Sequence, residues 1–114
     1  MKRIQTLSHT GKRAWFEYTG DCRNGVVLLH NAPVRVSGAL FSAALDHFGG
    51  RTVVGGYSMT DPPPDGFGAW VAVHSKALSG RALSPRHASF IAAILVNETH
   101  VRHSLRGNAV WLHF

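Results

Sequence analysis

The side chains able to do chemistry in this 114-residue chain are eight histidines, one cysteine and an excess of cations, twelve Lys and Arg against six Asp and Glu. His100 and His103 stand three residues apart, and with Glu98 or His113 they offer the residue types that hold a divalent ion. No second ligand motif completes that set, and such spacings arise readily among eight histidines, so no metal site is expected. Cys22 sits in a turn beside Arg23, whose charge favours the thiolate, but no base is identifiable for it and a free surface thiol is the simpler reading. Ser58, in Gly56-Tyr57-Ser58-Met59-Thr60, lacks the second glycine and the following helix of a nucleophile elbow. His74 falls on the same face of an expected strand as Trp70 and reads as a core or boundary residue. In a pocket it would be, with His30, the candidate general acid or base. The chain has no phosphate-binding Gly-x-x-x-x-Gly-Lys loop, no dinucleotide fingerprint and no paired-cysteine knuckle. No cofactor is therefore expected, and the chain leans away from enzymes.

The cations are unevenly placed. Residues 1–35 hold Lys2, Arg3, Lys12, Arg13, Arg23 and Arg35 for a net +4, residues 36–73 a net −2, and residues 74–114 hold Lys76, Arg81, Arg86, Arg102 and Arg106 for a net +4. Two basic ends flanking an acidic middle can form one surface that attracts phosphates by counterion release, although solubilising charge explains them equally well.

These groups must be positioned by a fold, and composition limits which. With 45% apolar, 16% charged and 10% aromatic residues, the chain suits one compact domain over 1–114. At this length folding hides about two-thirds of the unfolded surface, enough that no disulfide or structural metal is required. A single cysteine forbids an internal disulfide. No run approaches 18 apolar residues, and no apolar signal core follows Met1, so neither membrane insertion nor export is expected and a cytoplasmic location is.

Residues 12–19 alternate, Ala14, Phe16 and Tyr18 against Trp15 and Glu17, as a half-buried strand does. Val26-Val27-Leu28-Leu29 is apolar throughout and reads as a strand covered on both faces. The turn-forming Gly20-Asp21-Cys22-Arg23-Asn24-Gly25 between them predicts an N-terminal hairpin over 12–30. Ser37 can cap a helix whose stripe is Leu40, Phe41, Ala44, Leu45 and Phe48, ended by Gly49-Gly50. Strands are expected over 51–58 and 68–77, separated by a loop stiffened by Pro62-Pro63-Pro64. Ser84-Pro85 opens a second helix that stops near Asn97 or runs on to Arg106, the earlier stop being favoured by the mediocre helix formers Thr99, His100 and Val101. A last strand covers 109–114. From residue 26 the order is β-α-β-β-α-β, so the expectation is an α+β, ferredoxin-like split-βαβ domain: an antiparallel sheet with two helices on one face and an extra N-terminal strand.

Over 26–114 the sequence resembles the RNA-recognition motif family. Val27-Leu28-Leu29-His30-Asn31-Ala32-Pro33 is similar to its first strand and exit, residues 41–49 to its first helix, and Asp65-Gly66-Phe67-Gly68-Ala69-Trp70-Val71 to its third-strand octamer. The resemblance implies base stacking on Phe67, while Leu28 and Ala69 replace the other two aromatic platforms and Asp65 stands where a phosphate-binding cation belongs. With stacking at about 1–3 kcal/mol per base, two lost platforms imply weak binding by that route.

Two functions follow as expectations. In the first, a small non-enzymatic protein binds RNA or single-stranded DNA through Phe67 stacking and phosphate contacts from Lys12, Arg13, Arg81, Arg102 and Arg106. In the second, Phe67, Ala69, Val71 and Val73 line one strand face beside Val26 and Leu28, and that apolar face must be covered. The N-terminal strand with Trp15 or Tyr18 is one cover. A second copy is the other, giving a homodimer with an apolar small-molecule pocket in which His74 or His30 acts as acid or base.

Overall fold

A computed structural model of the chain describes residues 1–7, 14–30, 32–107 and 109–114, the His30 side chain excepted. Alternating polarity at the N-terminal end builds a four-stranded antiparallel meander from β1 (Lys2–Gln5), β2 (Trp15–Asp21), β3 (Gly25–His30) and β4 (Ala32–Val36), ordered in the sheet as in the chain. The register pairs Tyr18 with Leu28 and Leu28 with Val34, and Gly20 with Val26 and Val26 with Val36. Phe16, Tyr18, Val26, Leu28, Val34 and Val36 thus share one face, and all are buried. Within the span expected for a hairpin, β2 and β3 pair antiparallel across the glycine-rich turn, while its expected start at residues 12 and 13 lies outside the described residues. Its second strand differs from expectation: Val27 and Leu29 are only half-buried, so β3 is fully covered on one face rather than two. Strand β4 adds to the elements expected from sequence; its Pro33 lacks a ladder donor, a loss that an edge strand tolerates.

Helix α1 (Gly38–Phe48) starts where Ser37 predicts, its Oγ accepting from the Leu40 N–H at 3.3 Å, and buries Leu40, Phe41, Ala44 and Phe48. The same Oγ donates to the Leu78 carbonyl at 2.6 Å, and the Ser37 N–H donates to Ser79 Oγ at 2.7 Å. The start of α1 and the end of the next helix are therefore tied. A short β5 (Thr52–Val54) follows.

The largest departure lies at 68–77. Instead of a strand the chain forms helix α2 (Phe67–Ser79), and the residues it buries, Phe67, Gly68, Trp70, Val71 and Ser75, follow a helical stripe rather than alternation. Gly80 closes it in the left-handed conformation at φ 77°, its N–H bonded to the Lys76 carbonyl. At the other end Gly68 N–H reaches the Gly55 carbonyl at 2.7 Å, and a Cβ on Gly68 would collide with the Gly56 carbonyl. The segment that resembles the third-strand octamer is thus the start of a helix, and no β-α-β-β-α-β order is present among the described residues.

Helix α3 (His87–Asn97) begins one turn after Ser84-Pro85, where the His87 and Ala88 N–H groups bond to the Ser84 and Pro85 carbonyls, and it takes the earlier of the two expected stops. The remainder forms a hairpin of β6 (Arg102–Arg106) and β7 (Ala109–His113), which pairs with β5 in a separate three-stranded antiparallel sheet ordered β5-β7-β6. The architecture is α+β, with three helices and two antiparallel sheets in place of one sheet. The inner faces of both sheets and the stripes of all three helices feed one apolar cluster, from Tyr18 and Leu28 through Phe41, Phe67 and Ile91 to Leu112. Of the residues expected to share one apolar strand face, Val26, Leu28, Phe67 and Val71 are covered by the chain itself, whereas Ala69 is half-buried and Val73 exposed on α2. Tyr18 also belongs to this core, whereas Trp15 is exposed. No helix among the described residues is long and apolar enough to cross a membrane.

Phe67 is 0% exposed and packs against Phe48, Trp70 and Phe114 with ring centroids 5.7–6.3 Å away. Truncation there leaves an unfilled cavity. Phe67→Ala is expected to lower the unfolding free energy by about 3–5 kcal/mol in urea titrations followed by far-UV circular dichroism.

Candidate nucleic-acid interface

Strand alternation decides what the three-stranded sheet shows to its outer side. Val53, Val110 and Leu112 point into the core, so Trp111 and His113 of β7 face outward. Cross-strand neighbours share that face: Arg102 pairs with His113, Ser104 with Trp111 and Arg106 with Ala109, while Thr52 and Val54 of β5 flank the other side. The Arg106 guanidinium lies 6.0 Å from the centre of the Trp111 ring, at the limit of a cation–π contact. His113 is held at both ring nitrogens, Nδ1 by Thr52 Oγ1 at 3.1 Å and Nε2 by Ser104 Oγ at 2.8 Å. A hydroxyl–imidazole–hydroxyl bridge therefore crosses all three strands beside a half-buried indole and two exposed guanidinium groups. Chemically, the face offers a half-buried indole with two exposed guanidinium groups on the same side.

Of the residues expected from sequence to meet nucleic acid, Arg102 and Arg106 are brought together here. Phe67 is not available, being sealed in the core. Lys12 and Arg13 lie outside the described residues. Arg81 is exposed and lines a different feature, a cleft of about 450 Å3 bounded by Thr6, Leu28, Val34, Arg86, His87 and Phe90. In that cleft His87 Nδ1 accepts from the Ser84 N–H at 3.1 Å and lies 2.9 Å from Ser84 Oγ. Burial, aided by the charges of Arg81 and Arg86, holds the His87 pKa below its ordinary value, which keeps the ring neutral at neutral pH.

The histidines considered for acid or base work are placed otherwise than expected. His74 sits one helical turn after Trp70 on α2, exposed, its ring 5.1 Å from the indole. His47 stacks on the same indole at 5.8 Å. The side chain of His30 lies outside what is described. Cys22, expected at the surface, is buried at 5% exposure, and its thiol is pushed up to about 12 by burial and by the Glu98 carboxylate, so Arg23 does not activate it. Sequence reading missed Trp111 and His87. The alternation of 109–114 carried the signal for Trp111, but only the register with β6 shows that two arginines share its face.

No family model matches the chain, and neither a curated protein nor a solved structure matches it.

Because the folded-state pKa of His87 lies below the unfolded value near 6.5, the unfolded chain binds the proton more tightly and acid favours unfolding. The contribution is complete above that value and is lost as pH falls below it. In His87→Asn, which keeps an acceptor for the Ser84 N–H, the decline of stability from pH 6.5 downward should be shallower than in the parent, read as the difference between two denaturation–pH profiles.

Proposed function

We propose that the chain is a small non-enzymatic binding protein for single-stranded nucleic acid, with the outer face of β5-β7-β6 as its platform. One observation carries the reading: the half-buried Trp111 stands on the outward side of an antiparallel sheet with the exposed Arg102 and Arg106 on the same side. A base stacks on an indole whatever its identity, and guanidinium groups on the same sheet face can neutralise the phosphates on either side of it. The chemistry is that implied by the RNA-recognition resemblance, transferred from the buried Phe67 to Trp111. The net +6 charge of the chain adds long-range attraction. A single aromatic platform and a few arginines predict weak, strongly salt-dependent and sequence-tolerant binding.

Fluorescence anisotropy with labelled oligo(U) and oligo(dT) tests this at low and moderate salt. Trp111→Ala should weaken binding by about 1–3 kcal/mol. Arg102→Ala should reduce the dependence of log K on log salt by about one phosphate contact. Absence of binding at low salt, or affinity indifferent to Trp111, refutes the reading.

The cleft beside α3 favours a second reading, a small molecule with an apolar body and an anionic group. Leu28, Val34 and Phe90 supply apolar contacts, Arg81 and Arg86 the cations, and neutral His87 takes the acid/base place expected of His74 or His30. A homodimer is not required for it. Thermal stabilisation by aromatic carboxylates that disappears in Arg81→Ala and persists in Trp111→Ala would favour this reading over the first.

A further inference from the structure

The turn that follows α3 holds an arrangement that no spacing in the sequence reveals. His100 and His103 do not act as a pair: His103 leaves on β6 opposite Leu112, while His100 stays in the turn. Between Glu98 and His100, Thr99 takes a φ of 65°, a left-handed conformation unusual for a β-branched residue, and the chain reverses there. The reversal sets Glu98 and His100 side by side against the β2–β3 turn, which contributes Cys22. One ligand atom from each, the Cys22 sulfur, a Glu98 carboxylate oxygen and a His100 ring nitrogen, lie within 4.8 Å of one another.

We propose that Cys22, Glu98 and His100 form a binding site for a borderline-soft divalent cation of the zinc class, with a fourth position left to water. Sulfur, nitrogen and oxygen donors in one small cluster match that class better than the all-oxygen preference of magnesium or calcium. The carboxylate is already oriented by a supporting shell. Tyr18 OH donates to Oε2 at 2.8 Å, the Cys22 N–H donates to Oε1 at 2.9 Å, and Asn97 Nδ2 donates in turn to the Tyr18 oxygen at 3.2 Å. Each carboxylate oxygen keeps a lone pair beyond these bonds, and outer-shell partners of this kind fix the direction of a metal ligand. Lys2 Nζ, 3.7 Å from Oε2, is the opposing charge; it is held beside the site by donating to the Gly20 carbonyl at 2.8 Å and by the Tyr18 ring, 5.1 Å away, and a bound cation takes over its role as the counter-charge of Glu98. Without a metal the Cys22 sulfur carries its proton, within 4.8 Å of the Glu98 carboxylate. Binding replaces that proton with the cation, so thiol and aqueous metal ion give metal thiolate and one proton released to solvent.

The test uses the untagged full-length chain with Co2+ and Zn2+ in metal-free buffer. Cys22 is the only sulfhydryl, so thiolate-to-cobalt charge-transfer absorption reports this site and none of the surface histidines. The expected result is a band that saturates at one Co2+ per chain, is abolished by Zn2+ and is accompanied by release of one proton. Because His100 is exposed, His100→Ala should keep the parent far-UV spectrum while weakening the ion by about tenfold or more, and His103→Ala should titrate as the parent does. No charge-transfer band, or a folded His100→Ala that binds as tightly as the parent, overturns the proposal. Neither result bears on oligonucleotide binding at Trp111.

Discussion

The hydroxyl of Tyr18 is the polar group around which the two ends of this molecule are joined. The side chain is entirely buried on the inner face of the first sheet, and a buried phenol left without a partner costs on the order of 1–3 kcal/mol. Its partner is Glu98, 80 residues away, at the end of α3. Burial alone would raise the Glu98 pKa, but the bonds from Cys22 and Tyr18 outweigh it and hold the carboxylate below its ordinary range. The same carboxylate binds the backbone of the β2–β3 turn. One ionised side chain therefore fixes where α3 ends, where the turn lies and from what point the chain sets out towards β6. The second sheet, with its arginines and Trp111, inherits its position from that junction.

Local signals made much of the fold legible. Ser37 caps α1, Ser84-Pro85 precedes α3, and the glycine-rich turn joins β2 to β3, each through chemistry confined to a few neighbouring residues. The segment after Asp65 failed because two periods coexist in it. Phe67, Ala69, Val71 and Val73 alternate as a strand would, and Phe67, Trp70, Val71 and Ser75 recur as a helix does. Val73 decides between them, since it is 74% exposed while Ser75 is sealed, accepting from the Leu83 N–H at 2.7 Å. The buried hydroxyl, which apolar pattern-matching ignores, belongs to the helical stripe. Glycine at position 80 was the overlooked stop signal.

The candidate sites were legible in proportion to how local they are. Arg102 and Arg106 fall on one side of any strand that contains both. Joining Trp111 to them requires the register of a hairpin, and joining Cys22 to Glu98 requires a contact across 76 residues. The charge excess that pointed towards phosphate is now divided between surfaces: Arg102 and Arg106 beside an indole, and Arg81 and Arg86 beside a neutral imidazole. Equal numbers of cations thus meet different neighbours, and the neighbours give each surface its chemistry.

The serine pair at positions 37 and 79 has a consequence for how the molecule breathes. Ser37 caps the first turn of α1 while its hydroxyl and amide are both engaged by the last turn of α2. Neither helix end can fray without releasing the other, so the two termini open as one cooperative unit. Amide protons at Ser37 and Leu40, which would exchange rapidly at an independent helix end, are thereby expected to share one slower opening event with the last turn of α2.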